Sequence, residues 1–186
     1  MLISPEPYRN LILDALDTIM PEYYHLETTY DPSGIVRERV FCYELYYCIR
    51  KLQEERGLTL LSLNGEIDKR GHLDFEKNDR KNPDFVFHIP GQMEGNTVII
   101  EVKGSIADLK GIKKDLKTLV TFIRKYQYKE GYLIIYNHGF GEIVKQLQAA
   151  FENFRRTPND IKEKIFLICK EAYGADHEMR RFSELI

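Results

Sequence analysis

The sequence predicts an α/β fold in which helices flank a mixed central sheet of about five strands. Three observations carry that expectation. Segments with apolar residues at helical spacing alternate along the chain with short β-branched runs. Two of those runs, Asp84 to Ile89 and Thr97 to Lys103, are joined by a turn containing Pro90, Gly91, Gly95 and Asn96, so they read as a hairpin. A third, YLIIY at Tyr132 to Tyr136, is apolar throughout, as in a strand covered on both faces. With 186 residues the chain has room for one sizeable core and not comfortably two, so a single domain over 1–186 is expected.

Taken in order, Pro7 to Met20 has helical spacing, with Pro7 suited to a first turn and Pro21 stopping it. Pro32, Ser33 and Gly34 mark a turn. Ile35 to Arg56 is a longer helix closed by Gly57, its core stripe formed by Phe41, Cys42, Leu45, Ile49 and Leu52, with Glu38 in the same arc. Leu58 to Ile67 reads as a strand and Asp68 to Asn82 as a polar loop, before the hairpin. Ser105 can cap a helix running to about Tyr126, with Ile106, Leu109, Ile112, Leu116, Leu119, Val120 and Ile123 inward. The strand Gly131 to Asn137, a helix from about Gly141 to Arg155 and a last strand, Lys164 to Lys170, follow. The tail from Glu171 carries no assignable pattern.

Composition excludes several classes. Apolar residues make up 43% and charged residues 30%, and 12 Tyr and 10 Phe are incompatible with a disordered composition. No apolar run approaches the roughly 20 residues of a membrane helix, and MLISPEPYRN lacks the pattern of a secretory signal, so a cytoplasmic location is expected. Cys42, Cys48 and Cys169 lack metal-ligand spacing and read as buried small hydrophobes. A net charge of −2 argues against coating nucleic acid by bulk charge, but not against a local basic surface beside an acidic site.

The chemistry concentrates in the hairpin. Glu101 and Lys103, two apart on one strand, project to the same face while Val102 turns to the other. Pairing through the turn brings Asp84 level with them. Such a set suits phosphodiester hydrolysis, which uses a metal to neutralise charge on phosphorus and to generate hydroxide. Asp84 and Glu101 offer the hard oxygen ligands Mg²⁺ prefers, the Val102 carbonyl offers a third, and the Lys103 ammonium can orient water or stabilise the transition state.

The segment PDFVFHIPGQMEGNTVIIEVK resembles the core of the PD-(D/E)xK nuclease superfamily, with Pro83, Asp84, Glu101 and Lys103 on its motif. The resemblance spans about residues 35–137, with an N-terminal helix and a C-terminal helix-strand extension outside it. It implies a three-layer, restriction-endonuclease-like sandwich and a Mg²⁺- or Mn²⁺-dependent nuclease acting on DNA first and RNA second, in defence or repair. It also implies a glutamate from the preceding helix, for which Glu38 and Glu44 compete. Glu66, ending the strand before the hairpin, is a further acidic candidate. Asp68 replaces Asp84 as metal ligand if the Gly-Glu-Ile-Asp run supplies the first acidic position, though hairpin geometry prefers Asp84.

Lys110, Lys113, Lys114 and Lys117 form a candidate phosphate-binding patch on the helix after the hairpin, and equally an ordinary solvated face. Tyr43, Tyr46 and Tyr47, at helical spacing, are expected in the core rather than stacked on bases. His88 is expected to be structural. The charges of the motif read as exposed or metal-facing, so Asp84→Ala and Lys103→Ala should end cleavage with little effect on the fold. The competing class is a catalytically silent module of the same fold that binds nucleic acid or serves as a subunit. Nothing in these residues reads as a separate DNA-reading unit such as a zinc finger or a basic zipper, and one active site cuts one strand at a time, so a homodimer or a subunit of a larger complex is expected.

Overall fold

In the computed structural model, residues 3–30, 34–65 and 82–186 are described. They form an α/β fold around a mixed, open sheet of six strands in the order β1-β2-β3-β4-β5-β6. The strands are β1 (Ser62–Gly65), β2 (Phe85–His88), β3 (Val98–Lys103), β4 (Glu130–Tyr136), β5 (Ile165–Lys170) and β6 (His177–Arg181). The helices are α1 (Glu6–Thr18), α2 (Glu38–Glu55), α3 (Leu109–Lys125), α4 (Phe140–Phe151) and the single turn α5 (Asn159–Lys162). β1, β2 and β3 run antiparallel, β3, β4 and β5 parallel, and β6 returns antiparallel to β5.

Period-2 alternation along the strands divides the core in two. Phe87, Ile100 and Ile134 share one cluster with Leu11, Ile12 and Leu16 of α1 and with Phe41, Leu45 and Ile49 of α2. Ile99, Leu133, Ile135 and Leu167 share the other with α3 and α4. β4 and β5 are buried at every position, as expected for strands covered on both faces.

The count of about five strands is corrected to six. β6, His-Glu-Met-Arg-Arg, has no apolar alternation, because a sheet-edge strand needs only one paired side and charge on it discourages edge-to-edge association. α2 starts at Glu38 rather than Ile35, since Ile35 is held in a bridge with Leu26. Its end is as the sequence indicates: Gly57 takes φ +63. Buried Gln53 then fixes the turn into β1 by donating to the carbonyls of Leu58 (2.8 Å) and Leu61 (2.7 Å), which is why β1 begins only at Ser62. α3 is capped by Asp108, whose side chain accepts from the Gly111 N–H at 2.9 Å, and not by Ser105. Cys42, Cys48 and Cys169 are buried, and none forms a disulfide with a described residue. His88 pairs with Asn64 across β1 and β2 (2.9 Å), a structural role. Among the described residues no helix is long and apolar enough to cross a membrane.

Candidate active site

The hairpin register decides the geometry. Phe85 pairs with Ile100, so Asp84, one residue before, stands opposite Glu101, one residue after, and on the same face. β3 continues past the start of β2, leaving the Val102 N–H without a backbone partner on that side. The Asp84 carboxylate accepts it at 2.7 Å. In an extended strand the N–H and C=O of one residue point the same way, so the Val102 carbonyl also faces the Asp84 side.

Lys103 binds across the end of the sheet. Its Nζ lies 3.1 Å from Glu38 Oε1, on the first turn of α2, and 3.1 Å from Asp115 Oδ2, on α3. Helices packed on opposite faces are thereby tied to one ammonium. Glu38 also accepts from the Gly104 N–H at 3.4 Å. That approach depends on Gly104 having no side chain, because a Cβ there would come within 2.6 Å of both the Tyr136 ring and Val36 Cγ1. Tyr136 cannot yield easily, being fully buried and stacked on Phe41 at 3.8 Å between centroids. Gly104→Ala is therefore expected to destabilise the protein by about 1–3 kcal/mol through overpacking and to displace Glu38 from Lys103; urea denaturation measures the first effect, and a smaller stability change on adding Glu38→Gln in the Gly104→Ala background than in the parent measures the second.

Of the two helix glutamates, Glu38 is the one the fold brings to Lys103. Glu44 lies instead beside Cys48, whose thiol is 3.7 Å from it. Asp115 was not legible as a site residue, yet it is only 3% exposed and belongs to the site through Lys103. Its signal was its place at i+3 from Ile112 on the apolar stripe, where a carboxylate needs a partner. Lys110, Lys114 and Lys117 are exposed and Lys113 half-buried on α3, with Lys114 close enough to ease the charge on Glu101. Glu66, Asp68 and His72 lie outside the described residues.

The electrostatics are those of excess negative charge. Four carboxylates, Glu38, Asp84, Glu101 and Asp115, gather around Lys103. Burial, opposed by the Val102 N–H and Lys103, pushes the Asp84 carboxyl up to about 6. Glu101, 6% exposed, is raised well above the usual carboxylate range by burial and then by Asp115 and Asp84. Burial also raises Asp115, against the pull of Lys103. For Lys103 burial acts downward, but Asp115 and Glu38 outweigh it and hold the ammonium firmly protonated.

These shifts predict an unusual pH dependence for the protein in chelator. A carboxyl raised in the folded state costs stability above its folded pKa, and the cost is relieved as protonation sets in below it. Melting temperature is thus expected to rise as the pH falls from about 7.5 toward 5, through the value near 6 for Asp84. Asp17, which Lys170 and His177 hold low against its burial, works in the opposite sense, but only below the ordinary carboxylate range. Differential scanning fluorimetry across this window checks the sign.

The donor set suits a hard divalent cation. Glu101 accepts no hydrogen bond from a described residue, and Asp84 offers a second oxygen beyond the one bound to Val102. Mg²⁺ and Mn²⁺ take such carboxylate and carbonyl oxygens while keeping waters. Among the described residues no group of three or more His, Cys, Asp and Glu side chains is placed to hold a metal ion together, so a cation here would rest on two carboxylates, Asp84 and Glu101, with the Val102 carbonyl and waters. No protein-family model, curated protein or solved structure matches the chain.

Proposed function

We propose that the chain is a metal-dependent nuclease of the PD-(D/E)xK type, a single domain built as a three-layer, restriction-endonuclease-like sandwich, that hydrolyses phosphodiesters in DNA. The observation that carries this reading is the cross-strand pair Asp84–Glu101, buried against its own charge at the end of β3 and followed by a lysine held protonated. A protein keeps two such carboxylates together when a cation offsets them. Mg²⁺ or Mn²⁺ bound by Asp84, Glu101 and the Val102 carbonyl would supply positive charge at the scissile phosphate and lower the pKa of water.

The chain's own residues then divide the remaining work. Lys103 stays charged near neutral pH, so it cannot take a proton from water; it donates hydrogen bonds to the phosphate oxygens as negative charge develops there. Glu38 and Asp115 fix the direction of that ammonium. The lysines of α3 offer contacts to flanking phosphates, which orient a substrate without reading its sequence. Two-strand cleavage would require a second copy or a companion protein. A monomer by light scattering that cuts both strands efficiently counts against that part.

The decisive assay incubates the protein with single-stranded, duplex and branched DNA and with RNA, in Mg²⁺, in Mn²⁺ and in chelator. Metal-dependent cleavage of DNA is expected; no cleavage of any substrate under any metal overturns the reading. One observation favours a silent module instead: Lys103 is already engaged by two carboxylates, as a purely structural ion pair would be. Calorimetric titration with Mn²⁺ near neutral pH separates the two, since a silent module gives no binding that Asp84→Asn removes.

A further inference from the structure

α2 presents aromatic rings to solvent beside the candidate active site. Tyr43, Tyr46 and Tyr47, which helical spacing placed in the core, are 65%, 36% and 59% exposed. The reason is the stripe: Phe41, Leu45, Cys48 and Ile49 take the inward face, and positions 43, 46 and 47, at i, i+3 and i+4, share the outer one. Tyr43 and Tyr46 line a cavity of about 810 Å³ whose wall also includes Glu38, Asp84 and Phe85. Tyr46 is held in place, its hydroxyl donating to the Leu63 carbonyl at 3.4 Å and its ring lying 6.2 Å from that of Phe85.

Resting on the nuclease reading, we propose that this cavity takes the unpaired bases of a single DNA strand, stacked on Tyr43 and Tyr46, while the strand's phosphate reaches Asp84 and Glu101. Exposed aromatic surface clustered in this way marks a binding site, and a ring already leaning on Phe85 and the Leu63 carbonyl loses less conformational freedom when a base is laid on it than one standing alone in solvent. Stacking also selects the substrate. In an intact duplex every base face is covered by its neighbours and only base edges are reachable, so rings on a protein surface gain a partner only from bases already out of the stack. A single strand, a flap or a frayed end supplies them; the interior of a duplex does not.

The test measures anisotropy of a fluorescein-labelled mixed-sequence 20-nucleotide DNA strand, its duplex and the corresponding RNA strand, in the Glu101→Gln background so that the probes remain whole. The DNA strand is expected to bind more tightly than the duplex. Tyr43→Ala and Tyr46→Ala should each weaken strand binding by roughly 5- to 100-fold, as loss of one stacked base implies, with duplex binding unchanged. Tyr43→Phe should bind like the parent, because it keeps the ring. Tyr46→Phe removes only the anchor to Leu63, so it separates loss of the ring from loss of its positioning, and exposed Tyr43 supplies the arm in which folding is not at risk. Strand binding unaffected by Tyr43→Ala, or a duplex or RNA strand bound more tightly than the DNA strand, overturns the proposal. Its fate is separable from that of the nuclease reading: tyrosine-dependent strand binding without cleavage by the unsubstituted protein removes the activity and leaves this surface. Cleavage of duplex interiors indifferent to the tyrosines does the reverse.

Discussion

Asp84→Asn and Glu101→Gln are each expected to lower cleavage by on the order of 10³-fold or more and, in chelator, to make the protein more stable. Both outcomes come from the same charge. On the nuclease reading each carboxylate would be a metal ligand, and an amide oxygen is a much poorer one for a hard divalent cation. Without metal, each carboxylate is buried beside like charges, and the amide keeps its shape while removing the repulsion. For Asp84 the carboxyl near 6, against an ordinary value of 3.8, makes the gain at pH 7.5 roughly 1–3 kcal/mol, because the charged form is what burial penalises. That is several degrees of melting temperature for a chain of this size. After Asp84→Asn the amide oxygen can still accept from the Val102 N–H, so the hairpin end is retained. Parallel melts in chelator and in Mn²⁺ give the measurement: substituted proteins that melt higher in chelator but gain less from Mn²⁺ than the parent support the site, and a fall in chelator refutes the charge argument.

Lys103→Ala is expected to behave oppositely, losing cleavage and stability together. The sequence alone treats Lys103 as exposed or metal-facing, and so dispensable to the fold. The structure corrects the exposure and gives the lysine a partner within the fold: its side chain is only 18% exposed, and it pairs with Asp115, whose own side chain is 4% exposed. Removing one member of a buried pair leaves the other charge uncompensated, at a cost of about 3 kcal/mol, or roughly 6–12 °C. Asp115→Asn in the same chain should recover part of that loss without recovering cleavage. A Lys103→Ala protein that melts like the parent would show that the ion pair contributes nothing to folding.

The contrast between these two substitutions shows what can be read from the sequence. Asp84, Glu101 and Lys103 were legible because strand alternation and a hairpin turn are local rules, and the register that brings Asp84 opposite Glu101 follows from them. Choosing Glu38 over Glu44 was not, since both sit near one arc of α2 and only packing against β3 and Gly104 selects between them. Asp115 lay in plain view on the stripe of α3, but among Lys110, Lys113, Lys114 and Lys117 it reads as one more surface charge. Its partner comes from another element, twelve residues earlier, and the sequence does not show that contact. β6 escaped because a charged edge strand has no apolar rhythm, and the tyrosines of α2 because a wheel shows a stripe's width poorly when aromatic residues occupy both sides of it.

The position of Lys103 has a consequence for energetic independence. Glu38 and Asp115 belong to helices on opposite faces of a sheet that otherwise keeps two cores apart, and substitutions so placed ordinarily add. Here they share an ammonium. Glu38→Gln leaves Lys103 wholly to Asp115, and Asp115→Asn leaves it wholly to Glu38, so the second loss depends on whether the first has occurred. A double-mutant cycle on stability is therefore expected to return a coupling of about 0.5–2 kcal/mol between side chains bound to the same group from opposite sides. Should the cycle close to zero, the two halves of the molecule would be energetically separate even where one lysine touches both.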